Sequence, residues 1–358
     1  MTVVNITNKF FSELENVTVA SDLPFLCEVG KIKIGNKGEE KTSKTGKTFR
    51  LPQKLDHFVV TKNFRDSRTD MFISDYALME QIAKQTNQDP NNLKFLPVML
   101  LFDDPELNFI VRFSCYKGTS CWCVGDGKKA FRLKNNNGER EEVQCPCERV
   151  LPSYNGNEKC KVFGRLMVLL QGVKRIGGCW VFRTTSWNTV RSIQSSMAFL
   201  RQLTGGILSG IPLMLTINPK AVIIPNGSPQ TIYVVNLEYW GDIESLQEHV
   251  IQIQRRRIEY KLKTEMLEDQ LKKSLPAIQF DEDEKDIAEE FYPENLWDED
   301  LPETQPQPEP QEKTQGETPE PQQQEQQAKQ QKKAEKKQQA QQKESVTQQQ
   351  EPEILTLW

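Results

Sequence analysis

Seven cysteines, Cys115, Cys121, Cys123, Cys145, Cys147, Cys160 and Cys179, fall within 65 residues of a 358-residue chain. What they can be depends on compartment. The N-terminus (MTVVNITNKFFSELENV) has no basic stretch followed by an apolar one, so it does not read as a signal peptide. No apolar run approaches the roughly 20 residues that span a bilayer. The expected setting is the cytoplasm, away from membranes, where thiols stay reduced. The cysteines are then metal ligands or buried thiols rather than a disulfide framework.

Zinc takes four converging ligands, and ligand pairs usually lie close in sequence. Cys121-Trp-Cys123 precedes Val-Gly-Asp-Gly, and Cys145-Pro-Cys147 and Cys160 follow a polar loop. The expected ligands of a structural Zn2+ are Cys123, Cys145, Cys147 and Cys160, with Cys121 and Cys115 as reserves. Cys179 sits in a strand-like run and Cys27 is remote from the cluster, so a buried thiol is the plain reading of both. A catalytic zinc keeps an open position and often uses histidine. The two histidines, His57 and His249, lie far from the cysteines. The chain has no G-x-x-x-x-G-K-[ST], H-E-x-x-H or G-x-S-x-G. Asp56-His57 lacks a nucleophile, so we expect no catalytic residues and no enzyme.

The hydrophobic pattern predicts an α+β fold: antiparallel strands with packed helices, a zinc-clamped loop region, a C-terminal helix and a disordered tail. Residues 31–50 hold six lysines, one arginine and three glycines, a basic loop or hairpin. Leu78, Met79, Ile82 and Ala83 have helical spacing over 76–86. FLPVMLLFD and NFIVRFSCY flank Asp104-Pro105 and predict a hairpin. CKVFGRLMVLL and CWVFRTTSW flank GVKRIGG and predict another. Val190, Ile193, Met197 and Leu200 mark a helix over 187–204, with Ser186 as its N-cap and Gly205-Gly206 as its stop. IPLMLTI and TIYVVNLEY read as strands. A long charged helix over 242–273 carries a 3/4 seam interrupted by Arg257 and Thr264. It reads as a helix docked on its own domain, with a short coiled coil as the alternative.

Charge divides the chain. Residues 274–302 carry 11 acids against one lysine, a net of −10, and 303–358 a net of −3, which leaves +9 for 1–273. A basic body points to DNA or an acidic partner. The candidate nucleic-acid contacts are Lys31, Lys33, Lys44, Lys47, Arg50, Lys174, Arg175 and Arg183. The acidic part has sparse anchors, among them Phe280, Ile287, Phe291 and Tyr292. Beyond it, Gln, Glu, Lys and Pro dominate until the terminal ILTLW, too polar to offset ordering entropy. The expected divisions are a core over 1–240, the charged helix over 241–273, an acidic segment over 274–301 and a disordered tail over 302–358.

Taken as a set, C-W-C-V-G-D-G, C-P-C, C-K-V-F-G-R-L, F-R-T-T-S-W-N-T-V-R-S-I, T-G-G-I-L-S-G-I-P-L and I-Y-V-V-N-L-E-Y resemble the phage recombination directionality factor-like family. R-L-P-Q-K-L-D-H-F-V-V-T resembles its N-terminal block. The resemblance covers roughly 25–240 and leaves out the acidic and Gln-rich part. It implies a non-enzymatic accessory protein of phages and prophages. Such a protein binds a large serine integrase, often at its coiled-coil region, and switches it from integration to excision. It also implies a cysteine-bound zinc, matching Cys123, Cys145, Cys147 and Cys160 here. Bacterial members are often labelled hydrolase or metal-binding protein, and no residue here supports the hydrolase label. The alternative expectation is a single-stranded-DNA-binding protein of phage DNA metabolism, with a zinc hydrolase last.

Overall fold

The strand β9 (Lys161–Leu170) sets the plan of the molecule. Side chains alternate across a strand. On β9, Val162, Leu166 and Val168 enter the main core on one face, while Lys161, Phe163 and Arg165 occupy the other. The next strand, β10 (Gly178–Thr184), pairs antiparallel with it, Trp180 opposite Val168 and Phe182 opposite Leu166. This is the hairpin that the GVKRIGG turn predicts. Every residue of β10 is buried, so both of its faces are covered.

The computed structural model describes residues 27–42, 48–69, 71–134, 139–274 except 152, 155, 157 and 224–227, and 284–292. Among these, side-chain positions are described except at 36–52, 273, 274 and 284. Two long strands, β1 (Cys27–Thr42) and β2 (Thr48–Arg65), form the hairpin of the lysine-rich segment, and β3 (Phe72–Ser74) extends it. β1 runs parallel to β10, with Ile32 beside Phe182. On the far side of β9 lie β5 (Phe109–Lys117), β6 (Ser120–Gly125), β7 (Lys129–Leu133) and β8 (Arg140–Gln144). The order is β3-β2-β1-β10-β9-β5-β6-β7-β8. A branch leaves β9 through β4 (Phe95–Met99), which pairs with β11 (Leu213–Ile223), and β11 pairs with β12 (Pro229–Glu238). The result is a mixed α+β fold around a large mixed sheet.

The core lies where this sheet meets α1 (Tyr76–Thr86) and α3 (Trp187–Leu203). α1 buries Leu78, Met79, Ile82 and Ala83, and its N-cap Asp75 accepts from the Leu78 amide. α3 buries Val190, Ile193, Met197 and Leu200, and Ser186 caps it by accepting from the Thr189 amide. Both helices follow their apolar spacing. Each fully buried Leu, Ile or Phe there contributes roughly 1.5–3 kcal/mol.

Two expected elements differ. β4 and β5 do not pair with each other; Asp104 instead caps a single helical turn, α2 (Pro105–Asn108), and sends β4 to β11. Pro at the first helical position favours that turn. The helix expected over 242–273 is two: α4 (Ile243–Glu259) and α5 (Thr264–Ser274), broken where Lys261 takes φ 52°. α4 docks on the body through Leu246 and Val250. Arg257, the polar gap in the seam, bonds Asp103 at 2.6 and 3.0 Å, and Asp103 also accepts from the Leu208 and Ser209 amides. Burial works against that carboxylate, but Arg257 and the two amides outweigh it and hold its pKa low. A last helix, α6 (Glu284–Phe291), comes from the acidic segment. Phe280, ILTLW and the tail over 302–358 lie outside the described residues.

Candidate functional site

The antiparallel register of β5 and β6 places Cys115 opposite Cys123. After β8, a knuckle brings back two more thiols. The Cys145 amide donates to the Lys128 carbonyl, Cys147 precedes a 3-10 turn over Glu148–Val150, and the Cys160 amide donates to the Arg149 carbonyl at 3.0 Å. Cys115, Cys123, Cys145 and Cys160 are all buried in one small cluster with Ala130. Phe113, Trp122, Val143 and Val150 pack around it. Cys147 is half-buried, with Arg132 Nη2 3.9 Å from its Sγ. It lies near enough for a thiolate there to raise the pKa of Cys115, Cys123, Cys145 and Cys160.

Burial pushes the Cys115 thiol up to about 12 and also raises Cys123, Cys145 and Cys160. A thiol in such a place stays protonated at neutral pH unless a cation offsets the desolvation. As the side chains stand, no group of three or more His, Cys, Asp or Glu among the described residues is arranged to hold a metal ion. The donor chemistry nevertheless matches a closed thiolate site: soft sulfurs, apolar surroundings and little water. Gly125 belongs to this packing. A Cβ there would stand 2.8 Å from Cys145 Sγ and 2.6 Å from Ala130 Cβ.

Three of the expected ligands, Cys123, Cys145 and Cys160, share this cluster, Cys147 lies beside it, and they are joined by the reserve Cys115. Its Sγ donates to the Glu158 carbonyl at 3.3 Å. The other reserve, Cys121, turns to the opposite face and packs with Tyr116, Val124, Phe163 and Tyr292. Cys179 is buried in β10 and Cys27 is exposed. The Trp122 ring, between the paired cysteines, carries Lys117, Arg132 and Arg149 at 4.2, 4.7 and 4.6 Å from its centroid. The C-W-C spacing hints at that ring, but nothing in sequence points to its cations.

The expected nucleic-acid contacts scatter. Lys174 and Arg175 stand exposed in the β9–β10 turn. Lys44 and Lys47 lie outside the described residues, as does the side chain of Arg50. Lys31, Lys33 and Arg183 share the charged face of the sheet, but as a network with acids rather than an open patch. Lys31 and Arg183 are only 2% and 7% exposed. Glu28 accepts from Lys31, and from Arg165 and Arg183 at 3.2 and 3.3 Å. Across the face lies α6. Asp286 stands 3.3 Å from Arg65, 3.9 Å from Arg183 and 4.0 Å from Lys33; Glu290 is 2.6 Å from Lys33. Lys161 donates to the Phe291 carbonyl at 2.7 Å, and Tyr292 Oη to the Ser114 carbonyl at 2.9 Å. Ile287, Ala288 and Tyr292 fill an apolar pocket with Tyr116 and Phe163. Arg65, Lys161 and Arg165 were not among the expected contacts; only strand alternation from Lys31 and Arg183 points to them.

Neither histidine stands as a general base beside a nucleophile. His57 pairs with Asp56 at 2.8 Å, and Asp56 is held by Lys94 at 2.7 Å. His249 Nδ1 lies 3.1 Å from Tyr239 Oη and 2.8 Å from the Ser245 carbonyl. Among the described residues no helix is long and apolar enough to cross a membrane. The model of the Gp3-like family, described as recombination directionality factor-like, matches residues 29–239, from β1 to the end of β12. No curated protein and no solved structure matches the chain.

Proposed function

The chain belongs to the Gp3-like, recombination directionality factor-like family, and from that premise we propose that it is a phage or prophage accessory protein that binds a large serine integrase on DNA. It acts without chemistry of its own, by favouring the integrase assembly that excises over the one that integrates. The observation that carries this is the family match, which takes in the whole sheet and both core helices. Support also comes from α4, α5 and the turn between them, which leave Ile251, Ile258, Leu262 and Met266 exposed. Such apolar residues beside Arg255 and Arg256 suit docking on a helical partner.

The Cys145–Cys160 knuckle would hold a structural Zn2+ through Cys123, Cys145, Cys147 and Cys160. A bound zinc would supply the cation that buried thiolates need and fix the β6–β8 hairpins as a rigid edge. In this reading Cys115 is the neighbouring thiol that keeps its hydrogen and donates it to the Glu158 carbonyl.

Two measurements test the reading. A pulldown with a serine integrase from the same phage or prophage should retain this protein, and adding it to an excision assay should raise attachment-site excision. No retention and unchanged direction would reject the role. Elemental analysis should give one zinc per chain, retained in Cys115→Ala and lost in Cys147→Ser. A fully folded, metal-free preparation would reject the zinc and leave the integrase role standing.

A further inference from the structure

We propose that the sheet face beneath α6 is a binding surface for single-stranded nucleic acid, which α6 occupies in cis. This goes beyond the integrase reading and does not depend on it.

The face is built from cations. β1, β2, β9 and β10 contribute Lys31, Lys33, Arg65, Lys161, Arg165 and Arg183, while Glu28 is the acid of the same sheet that pairs among them. Aromatic side chains lie among the charges. Phe72 has Lys31, Lys33 and Arg65 at 4.3, 5.0 and 4.9 Å from its ring centroid. Phe163 and Tyr116 complete the floor. Cations that track a backbone, with rings on which bases can stack, make up a single-strand site. A duplex keeps its bases from such rings.

α6 imitates that ligand. Asp286 and Glu290 are one helical turn apart, about 6 Å along the axis, and present two anions in a row to Lys33, Arg65 and Arg183. Beside them Phe291 and Tyr292 meet the floor rings, Phe163 edge-on at 5.7 Å and Tyr116 at 4.6 Å. The anions sit where phosphates would, and the rings where bases would.

The fit leaves the occupant exchangeable. Asp286 is 2% exposed, yet among the described residues its Oδ2 has no hydrogen bond and meets its cations at 3.9 and 4.0 Å. Three cations converge on this one carboxylate, and a polyanion brings more charge than α6 does. An eight-residue helix is marginal alone, so α6 depends on this face for its order. A gap of about 10 Å³, the size of one water, lies along its edge between Lys31, Lys33, Arg183 and Glu290. The charge balance of the chain agrees, a body of +9 against a segment of −10.

The test uses the full chain and a fluorescein-labelled oligothymidine at low salt. Asp286→Asn with Glu290→Gln removes the cis anions and should tighten binding roughly tenfold, within the usual range of site-to-site coupling. Adding Lys33→Gln and Arg65→Gln to that variant should abolish the gain and flatten the salt dependence. A synthetic peptide of residues 281–294 should compete with the oligonucleotide for the unlatched protein. Thermal unfolding checks that each variant is folded; should the double variant fail, Glu290→Gln alone, at a 20% exposed side chain, carries the test. Equal affinity with and without the cis anions would overturn the proposal. So would capture of the acidic peptide with no oligonucleotide binding, which would make the face a groove for an acidic helix of a protein.

Discussion

On β9 and β10 one face holds Val162, Leu166, Val168, Trp180 and Phe182, and the other Lys161, Phe163, Arg165 and Arg183. The apolar face is closed by α1 and α3, whose own apolar stripes interlock with it. That attraction is non-directional and proportional to area, and little water competes for it. The charged face is closed by α6, which arrives more than 100 residues after β10 and holds on through ion pairs and a few rings. Partly buried ion pairs come close to break-even, because desolvation offsets attraction. One face therefore carries the stability, and the other is suited to exchange. The largest test of that contrast is Phe182→Ala, which empties a fully buried position. It should cost about 3–5 kcal/mol, read from the denaturant midpoint. A loss below about 1 kcal/mol would show that this face does not carry the fold.

Next in size is a titration on the other face. Burial pushes the Cys179 thiol up to about 11, while Arg165 pulls it down. In the unfolded chain a thiol ionises near 8.5. The folded pKa is the higher one, so the stabilisation is complete below about pH 8 and is lost as pH rises through about 11. Wild type should lose on the order of 2 kcal/mol more than Cys179→Ala over that window. Parallel alkaline curves for the two proteins would mean that the thiol is wetter than its position in β10 implies. Smaller again is Tyr292→Phe, which removes the bond to the Ser114 carbonyl and should cost about 1 kcal/mol. It should loosen α6 in hydrogen exchange while leaving the Phe182 face protected. Equal loosening on both faces would show that they are one cooperative unit.

Legibility followed the same division. The apolar runs around GVKRIGG predicted the β9–β10 hairpin, and 3/4 spacing identified the helices that pack on the sheet, since burial against a neighbour writes itself into local pattern. The β4–β5 hairpin failed because Asp104-Pro105 serves a helical turn as well as a hairpin, and only the distant β11 decides between them. That Cys123, Cys145 and Cys160 gather was legible from spacing. That Cys115 joins them while Cys121 turns away follows from a register shift between Cys115 and Tyr116, which no spacing rule displays. Lys31, Lys33 and Arg183 were legible as cations and misleading as an open surface. Glu28 pairs with Lys31 and Arg183 from the same sheet, and the acids that meet Lys33 and Arg183 from α6 lie over 100 residues away in a segment whose composition reads as solvated charge.

The smallest prediction concerns an exposed charge pair on the outer strands. Lys129 and Glu142 meet diagonally between β7 and β8 at 3.3 Å, both more than half exposed. Solvent screens such a pair, and holding two long side chains costs entropy. Lys129→Met should therefore change stability by less than about 0.5 kcal/mol in chemical denaturation. The contrast with Lys33 is instructive, because the chemistry is the same and only the surroundings differ. Lys33 is 17% exposed, pairs with Glu290 and shares Asp286 with Arg65 and Arg183. Replacing it removes one member of a partly desolvated network and should free α6 from one side. If Lys129→Met proved the costlier of the two, the charged face would owe its closure to its rings, and α6 would not be held by charge at all.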